Sequence, residues 1–380
     1  MDRRNFIERF AVGAALSVPM MASPGVSRAQ ASPATTMWAN VKQFGAIGDG
    51  STDDTAAINA ALASLQRPSY ERGGILYFPA GHYRCTSTLA ITSWNAPQQE
   101  GSGLHNIIVR GDGPGCTILD FNNAVGAHGI TFNRGAHFGV EDIEIVNAPG
   151  TGILIADPGG SNCALFSLRN LRIQFCHQHG IQIKNAYMGT LEDIWSTGNL
   201  GNGFEFDGYH TSIDARRCYA THHATGIGWV INGMTYSNFS SCGSDNNRIG
   251  YALSNVAGIH FSGCGAEANS TDAWLINANA ATSAQSLPPQ TLDVHGLVLT
   301  SCFTTGNNIA GAYASHLSVT AADQRTVELK LMGNVSLSAG GGTAPVALNA
   351  NTGHIRIIDE MNRFEGSWAV SGDVIRHTPY

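Results

Sequence analysis

Two acidic residues, Glu205 and Asp207, stand two apart in the segment Asn202-Gly203-Phe204-Glu205-Phe206-Asp207. In an extended segment alternate side chains share a face, so both carboxylates would point the same way, with Cα atoms about 6.6–7 Å apart. That spacing falls between the carboxyl separations of retaining and inverting glycosidases, about 5–5.5 Å and about 6.5–9.5 Å, and so assigns no stereochemical course. Close carboxyls push their pKa values apart. One acid can then protonate a leaving oxygen while the other stays ionised as base or nucleophile.

Gln182 and Lys184 lie 23 residues upstream of this pair, and a similar distance recurs along the chain. A repeat of that length sets Gln182 beside Glu205 and Lys184 beside Asp207. By the same count Gly228 follows Glu205 and Val230 follows Asp207. Lys184 would then hold a substrate carboxylate or steady the ionised partner. The plainer alternative is a solvated polar face on which Lys184 and Asp207 pair. The count places His179 and His210, with His177, His222 and His223, in turns around this face, as acid–base helpers or as polar turn residues. Asp214 and Arg216 follow on the next strand, and Trp195 and Tyr209 offer flat faces to a sugar ring. His177 and His179 lack a Cys, His or acid set at metal spacing, so no metal is expected. Asp245 and Glu267 form a second, weaker acidic patch in turns further on.

These residues need a repetitive scaffold, and the sequence carries one. His128-Gly129-Ile130-Thr131-Phe132 returns as Thr151-Gly152-Ile153-Leu154-Ile155 and as His179-Gly180-Ile181-Gln182-Ile183. Related phrases follow, with second residues at Gly203, Gly226, Gly250 and Ala273, so the intervals are 23, 28, 23, 23, 24 and 23. Each phrase alternates apolar, variable, apolar, as a strand with one buried face requires. Strands this short cannot bury an apolar face alone, but stacked coils bury a continuous interior. The expected fold is all-β: a right-handed, single-stranded parallel β-helix. Residues 55–65 have helical apolar spacing behind Thr52, Asp53 and Asp54, with Thr52 the expected N-cap. That helix would cover the solenoid's open end.

Charged residues make up only 13% of the chain, and the net charge is −7. Nucleic acid is therefore not an expected partner, and no run of 18 apolar residues suggests a membrane span. Arg3-Arg4-Asn5-Phe6-Ile7, an apolar stretch over 10–21 and Ala29-Gln30-Ala31 resemble a twin-arginine export signal over residues 1–31. The mature protein is then expected to be periplasmic or secreted. The expected domain spans 32–308 with its N-terminal cap, and 309–380 supply terminal coils or a β cap. Cys218, Cys242 and Cys264 are spaced by 24 and 22, as a stacked core ladder of free thiols would be.

The segment Asn40-Val41-Lys42-Gln43-Phe44-Gly45-Ala46-Ile47-Gly48-Asp49-Gly50-Ser51-Thr52-Asp53-Asp54-Thr55-Ala56-Ala57-Ile58, followed by Gly74-Ile75-Leu76-Tyr77-Phe78-Pro79-Ala80-Gly81, resembles the opening of the pectate-lyase-like superfamily. That group includes rhamnogalacturonases, polygalacturonases, alginate epimerases and phage tailspike depolymerases. The resemblance implies the β-helix and a polysaccharide or oligosaccharide ligand, and it makes 49–54 a fold signature rather than a catalytic site. It carries over no site residue. The polygalacturonase motifs Asn-Thr-Asp, paired Asp, Gly-His-Gly and Arg-Ile-Lys do not occur in that order. The epimerase segment Asp-Pro-His-Glu is met here by Asp157-Pro158-Gly159-Gly160. Three functions follow as expectations. The first is a glycoside hydrolase using Glu205 and Asp207, with no cofactor. The second is a lyase or epimerase on a uronic-acid polymer, with Lys184, His210 or Arg216 as base and calcium bridging the charge. The third is a non-catalytic carbohydrate-binding protein. A monomer and a homotrimer are both compatible with the sequence.

Overall fold

The computed structural model describes residues 38–65, 73–92, 106–122, 124–156, 162–278, 293–307, 315–337 and 345–379. The export-signal segment and Asp157-Pro158-Gly159-Gly160 lie outside them. Twenty-seven strands among the described residues join one sheet, and their pairings are parallel. Each returning strand lies on its predecessor, so the chain winds as a right-handed parallel β-helix. One column of inward residues runs Ile153, Ile181, Phe204, Trp229, Tyr251, Trp274, Leu317 and Val346. The described strands beyond residue 309 continue this column.

Each coil has three faces, shown by the coil that carries Glu205. Face A is 204–207, face B is 213–216, and face C is the strand Tyr219–Thr221. The corners fall at left-handed residues: Gly208 and Ser212 between A and B, Arg217 between B and C, and His222 after C. Phe204, Phe206, Ile213, Ala215 and Ala220 point in and are buried, whereas Glu205, Asp207, Asp214 and Arg216 point out. Inside, Phe204 stacks on Trp229 at 3.9 Å and Tyr251 on Trp274 at 4.0 Å.

Two expectations about local structure need correction. The repeating glycine is Gly228, not Gly226. A Cβ built on Gly203 would fall 2.7 Å from the Gly228 carbonyl, and one on Gly228 would fall 2.8 Å from the Gly250 carbonyl. That close approach is what reserves the column for glycine. Placing Gly228 in register brings the large Trp229 ring onto Phe204; of the two extra residues, one enters after Asp207, where the pairing with the previous coil shifts by one, and the other in the corner before Ile227. The helix runs Thr55–Leu65, and Thr52 does not cap it. Asp53 accepts from the Thr55 N–H at 3.0 Å, while Thr52 turns back to donate to Asp49. Asp54 is buried and accepts from the Ile47 and Gly48 amides, so the acidic signature shapes the cap. Ile58, Ala61, Leu62 and Leu65 face the core from this helix.

The cysteine ladder forms as spaced. Cys218, Cys242 and Cys264 are buried free thiols, and Cys302 extends the row. A second ladder was not legible. Asn199, His223, Asn247, Asn269 and Asn307 are buried one above another, each side chain accepting from the backbone N–H one coil away. These bonds satisfy corner amides that no strand partner reaches.

Candidate active site

Face A carries the candidate pair. Gln182 sits beside Glu205 and Lys184 beside Asp207, as the repeat required. The next rung departs from expectation. Val230, not Gly228, follows Glu205, and Asn232 reaches Asp207 in the position expected for Val230. The pair therefore has an apolar, bulkier neighbour on one side.

Glu205 is firmly held. Its carboxylate accepts from Gln182 Nε2 at 2.7 Å and from Asn202 Nδ2 at 2.5 Å. His179 Nδ1 lies 3.1 Å from Glu205 Oε2 and also accepts from the Asn202 backbone N–H at 3.1 Å. One nitrogen cannot do both in a single protonation state. Burial lowers the His179 pKa, against the pull of Glu205 and with the push of Lys184. The ring is thus neutral, with its lone pair on the Asn202 amide. A proton added at Nδ1 would turn the same contact into an ion pair with Glu205.

Asp207 is exposed and takes one side-chain bond, from Asn232 Nδ2 at 3.3 Å. Lys184 makes no ion pair among the described residues, so the Lys184–Asp207 pair of the plainer alternative is not formed. Its charge is felt instead by His179 and by His128, whose pKa is lowered first by burial and then by Lys184 and His179. His128 Nδ1 accepts from the Thr151 N–H at 3.2 Å, the arrangement His179 repeats two coils further along. The site's rim is therefore His128, His179 and Asn202. The sequence signal for Asn202 and His128 was their place at the head of the repeat phrase.

Other predicted site residues do not join this group. His210 is buried, edge-on to Phe206 at 5.5 Å, and its pKa is pushed down to about 3 by desolvation. It cannot meet a substrate. Strict alternation from Phe204 already turns it inward, and placing it in a turn overlooked that the strand continues to Arg216. His223 is likewise buried, in the interior ladder, with its pKa lowered to about 4. Asp214 and Arg216 point outward on face B, past two corners, where Arg216 lies 3.3 Å from Asp214 and 3.9 Å from Glu192. Trp195 is exposed on face C, with the Arg172 guanidinium 4.9 Å from its ring. Tyr209 is exposed at the corner beside Asp207, its N–H held by Asn185. Face A thus assembles Glu205, Asp207, Gln182, Lys184 and His179, and leaves out His210, Asp214, Arg216 and Trp195. Among the described residues no group of three or more His, Cys, Asp and Glu could hold a metal ion.

Known proteins support the architecture. Mannuronan C5-epimerase AlgE3 of Azotobacter vinelandii is 38% identical over 81 residues, 21% of this chain and 4% of that protein. The chain therefore spans only a small fraction of the curated relatives it matches. The A-module of mannuronan C-5 epimerase AlgE4 from Azotobacter vinelandii superposes with a TM-score of 0.60 at 16% identity, over 90% of this chain and all of that one. The family 28 exopolygalacturonase of Yersinia enterocolitica gives 0.54 at 11% identity, over 90% and 77%. At such identities these likenesses speak to the fold. The sequence profile described as rhamnogalacturonase A/epimerase, pectate lyase-like matches residues 38–251, more than half of the chain. The chain belongs to the rhamnogalacturonase A/epimerase family of pectate-lyase-like proteins.

Proposed function

We propose that this protein is an exported glycoside hydrolase that cleaves a polysaccharide with Glu205 and Asp207. The observation that carries this reading is the pair itself: two carboxylates on one outward strand face, one held by two short amide bonds and one exposed with a single long one. Glu205 is fixed by Gln182 and Asn202, as befits a base or nucleophile that must hold its aim. Asp207 is exposed, lightly tethered and able to reach a glycosidic oxygen as the acid. Lys184 lies on the adjoining rung with its charge uncommitted, where it would take a substrate carboxylate. No cofactor is required.

A polysaccharide panel tests the reading. New reducing ends without ultraviolet-absorbing products are expected, and Glu205→Gln and Asp207→Asn should each abolish them. Activity retained by both variants would remove the site.

One observation favours a second reading, elimination or epimerisation on a uronic-acid polymer. Lys184 is free of carboxylates and sits in the field of two imidazoles that burial keeps neutral, and a neutral imidazole can take a proton. His210 and Arg216 drop out as bases because one is buried and the other is on another face. Unsaturated, absorbing ends would select elimination, where calcium could bridge the acidic surface to the polymer. Binding without turnover would leave a lectin-like role.

A further inference from the structure

Face C carries a feature that the Glu205–Asp207 reading does not use. Its outward column runs Trp195, Tyr219, Gly243, Gly265 and Phe303 on successive coils. Trp195, Tyr219 and Phe303 are all exposed. The Tyr219 ring leans over Gly243, where an added Cβ would meet it at 2.2 Å. Above Gly265 there is open space, since a Cβ there meets nothing nearer than the Phe303 carbonyl at 4.0 Å. The result is a notch about two rungs, or about 10 Å, high. Its floor is Gly265, and an aromatic ring stands at each end.

Beside the notch, two residues along the same strands and on the same face, Asp245 pairs in register with Glu267. The Glu267 N–H donates to Asp245 Oδ1 at 3.2 Å. Burial and the Glu267 charge push the Asp245 pKa up to about 6. Among the described residues no cation forms an ion pair with either carboxylate. Two like charges on neighbouring rungs repel and are costly without a partner. A ligand offering hydroxyl donors would relieve that cost through short charge-assisted bonds. A polyanion would aggravate it.

We propose that this notch is a binding site for a neutral saccharide, with Tyr219 and Phe303 bracketing a sugar ring over Gly265 and Asp245 and Glu267 accepting its hydroxyls. The combination of flat apolar surface with a few convergent polar groups is what such ligands demand. The site stands apart from the carboxylate pair on face A. It would hold a neutral stretch or branch of a polymer whatever reaction occurs at Glu205.

The test is calorimetry on the Glu205→Gln/Asp207→Asn double variant, which cannot turn substrate over. The probes are cellohexaose, laminarihexaose, xylohexaose and, as the anionic comparison, hexagalacturonate. At least one neutral hexasaccharide should bind. Gly265→Leu, which fills the notch at a position with room for a side chain, should weaken it at least tenfold with an unchanged melting temperature. Tyr219→Ala and Phe303→Ala should each do the same to a lesser degree. Hexagalacturonate binding should not respond to these three changes. Neutral binding that survives Gly265→Leu, or no neutral binding at all, overturns the proposal. So does calcium chloride alone competing with a neutral probe at Asp245 and Glu267 while Gly265→Leu leaves that probe's affinity untouched, since the pair would then belong to a cation. Loss of hydrolysis in the double variant with neutral binding intact separates this site from the one on face A.

Discussion

Faces A and B of the same coils both carry outward charge, and they handle it in opposite ways. On face B a column runs Arg110, Glu141, Arg169, Glu192 and Arg216, alternating in sign at every rung. Glu141 is gripped by Arg110 and Arg169 together, while Arg217 joins Glu192 to Asp193. Every charge there is answered from within the protein. On face A, Lys184 and Asp207 lie on adjacent rungs and stay apart, and Glu205 is held by amides. A sheet that can pair its charges so completely on one side leaves them uncommitted on the next where something else is to be met. Position on a coil face, more than the presence of charged residues, is what singles out the proposed site.

The contrast yields experiments of graded size. The largest effect is expected on face A, where Glu205→Gln should lower turnover by about 10²–10⁴-fold, as for loss of a positioned acid–base group. Its unfolding free energy should stay within about 1 kcal/mol, read by denaturant melts. Glu141→Gln on face B should do the reverse. It leaves two guanidiniums facing each other and should cost about 1–3 kcal/mol of stability, with turnover unchanged in steady-state assays.

The interior supplies a third, pH-dependent comparison. His210 and His223 are buried neutral, with pKa values lowered to about 3 and about 4 from an ordinary 6.5. The unfolded chain therefore binds protons more readily than the folded one. Their contribution is complete above pH 6.5 and is lost as pH falls from there toward 4, by up to about 1.4 kcal/mol per unit for each ring. His223→Asn would continue the flanking asparagines and should flatten that acid slope, measured as the difference in melting midpoint between pH 7 and pH 4.5. A flat slope in the unaltered protein would mean that these rings are solvated. The smallest effect belongs to Arg216→Ala. Its surface pairs are worth under about 1 kcal/mol, and activity should not change if substrate is met on face A as proposed.

How far the amino-acid sequence leads can be read at particular residues. The alternation of apolar side chains and the spacing of the glycines specify the winding, because only a stack of coils buries strands this short. Gln182 beside Glu205 and Lys184 beside Asp207 followed from counting alone. Counting failed at Gly226, since single extra residues can enter at corners, one after Asp207 and one before Ile227, without breaking the strands between them. His210 was misplaced because a histidine near a glycine reads as a turn, although parity along the strand turns it inward. The interior ladder of Asn199, His223 and Asn247 could not be seen at all, since it is a property of neighbours about 24 residues apart whose shared role appears only when their backbones touch.

The displaced glycine also bears on how such a scaffold changes its specificity. Glu205 lies 23 residues after Gln182 and 25 before Val230, yet it pairs with both in the sheet, the differences being taken up at the corners. Corner length and sheet geometry are therefore separate inheritances. Insertions in the bend before Ile227 can raise, lower or reshape the bank along which a sugar chain lies, while the bed beneath it stays unmoved.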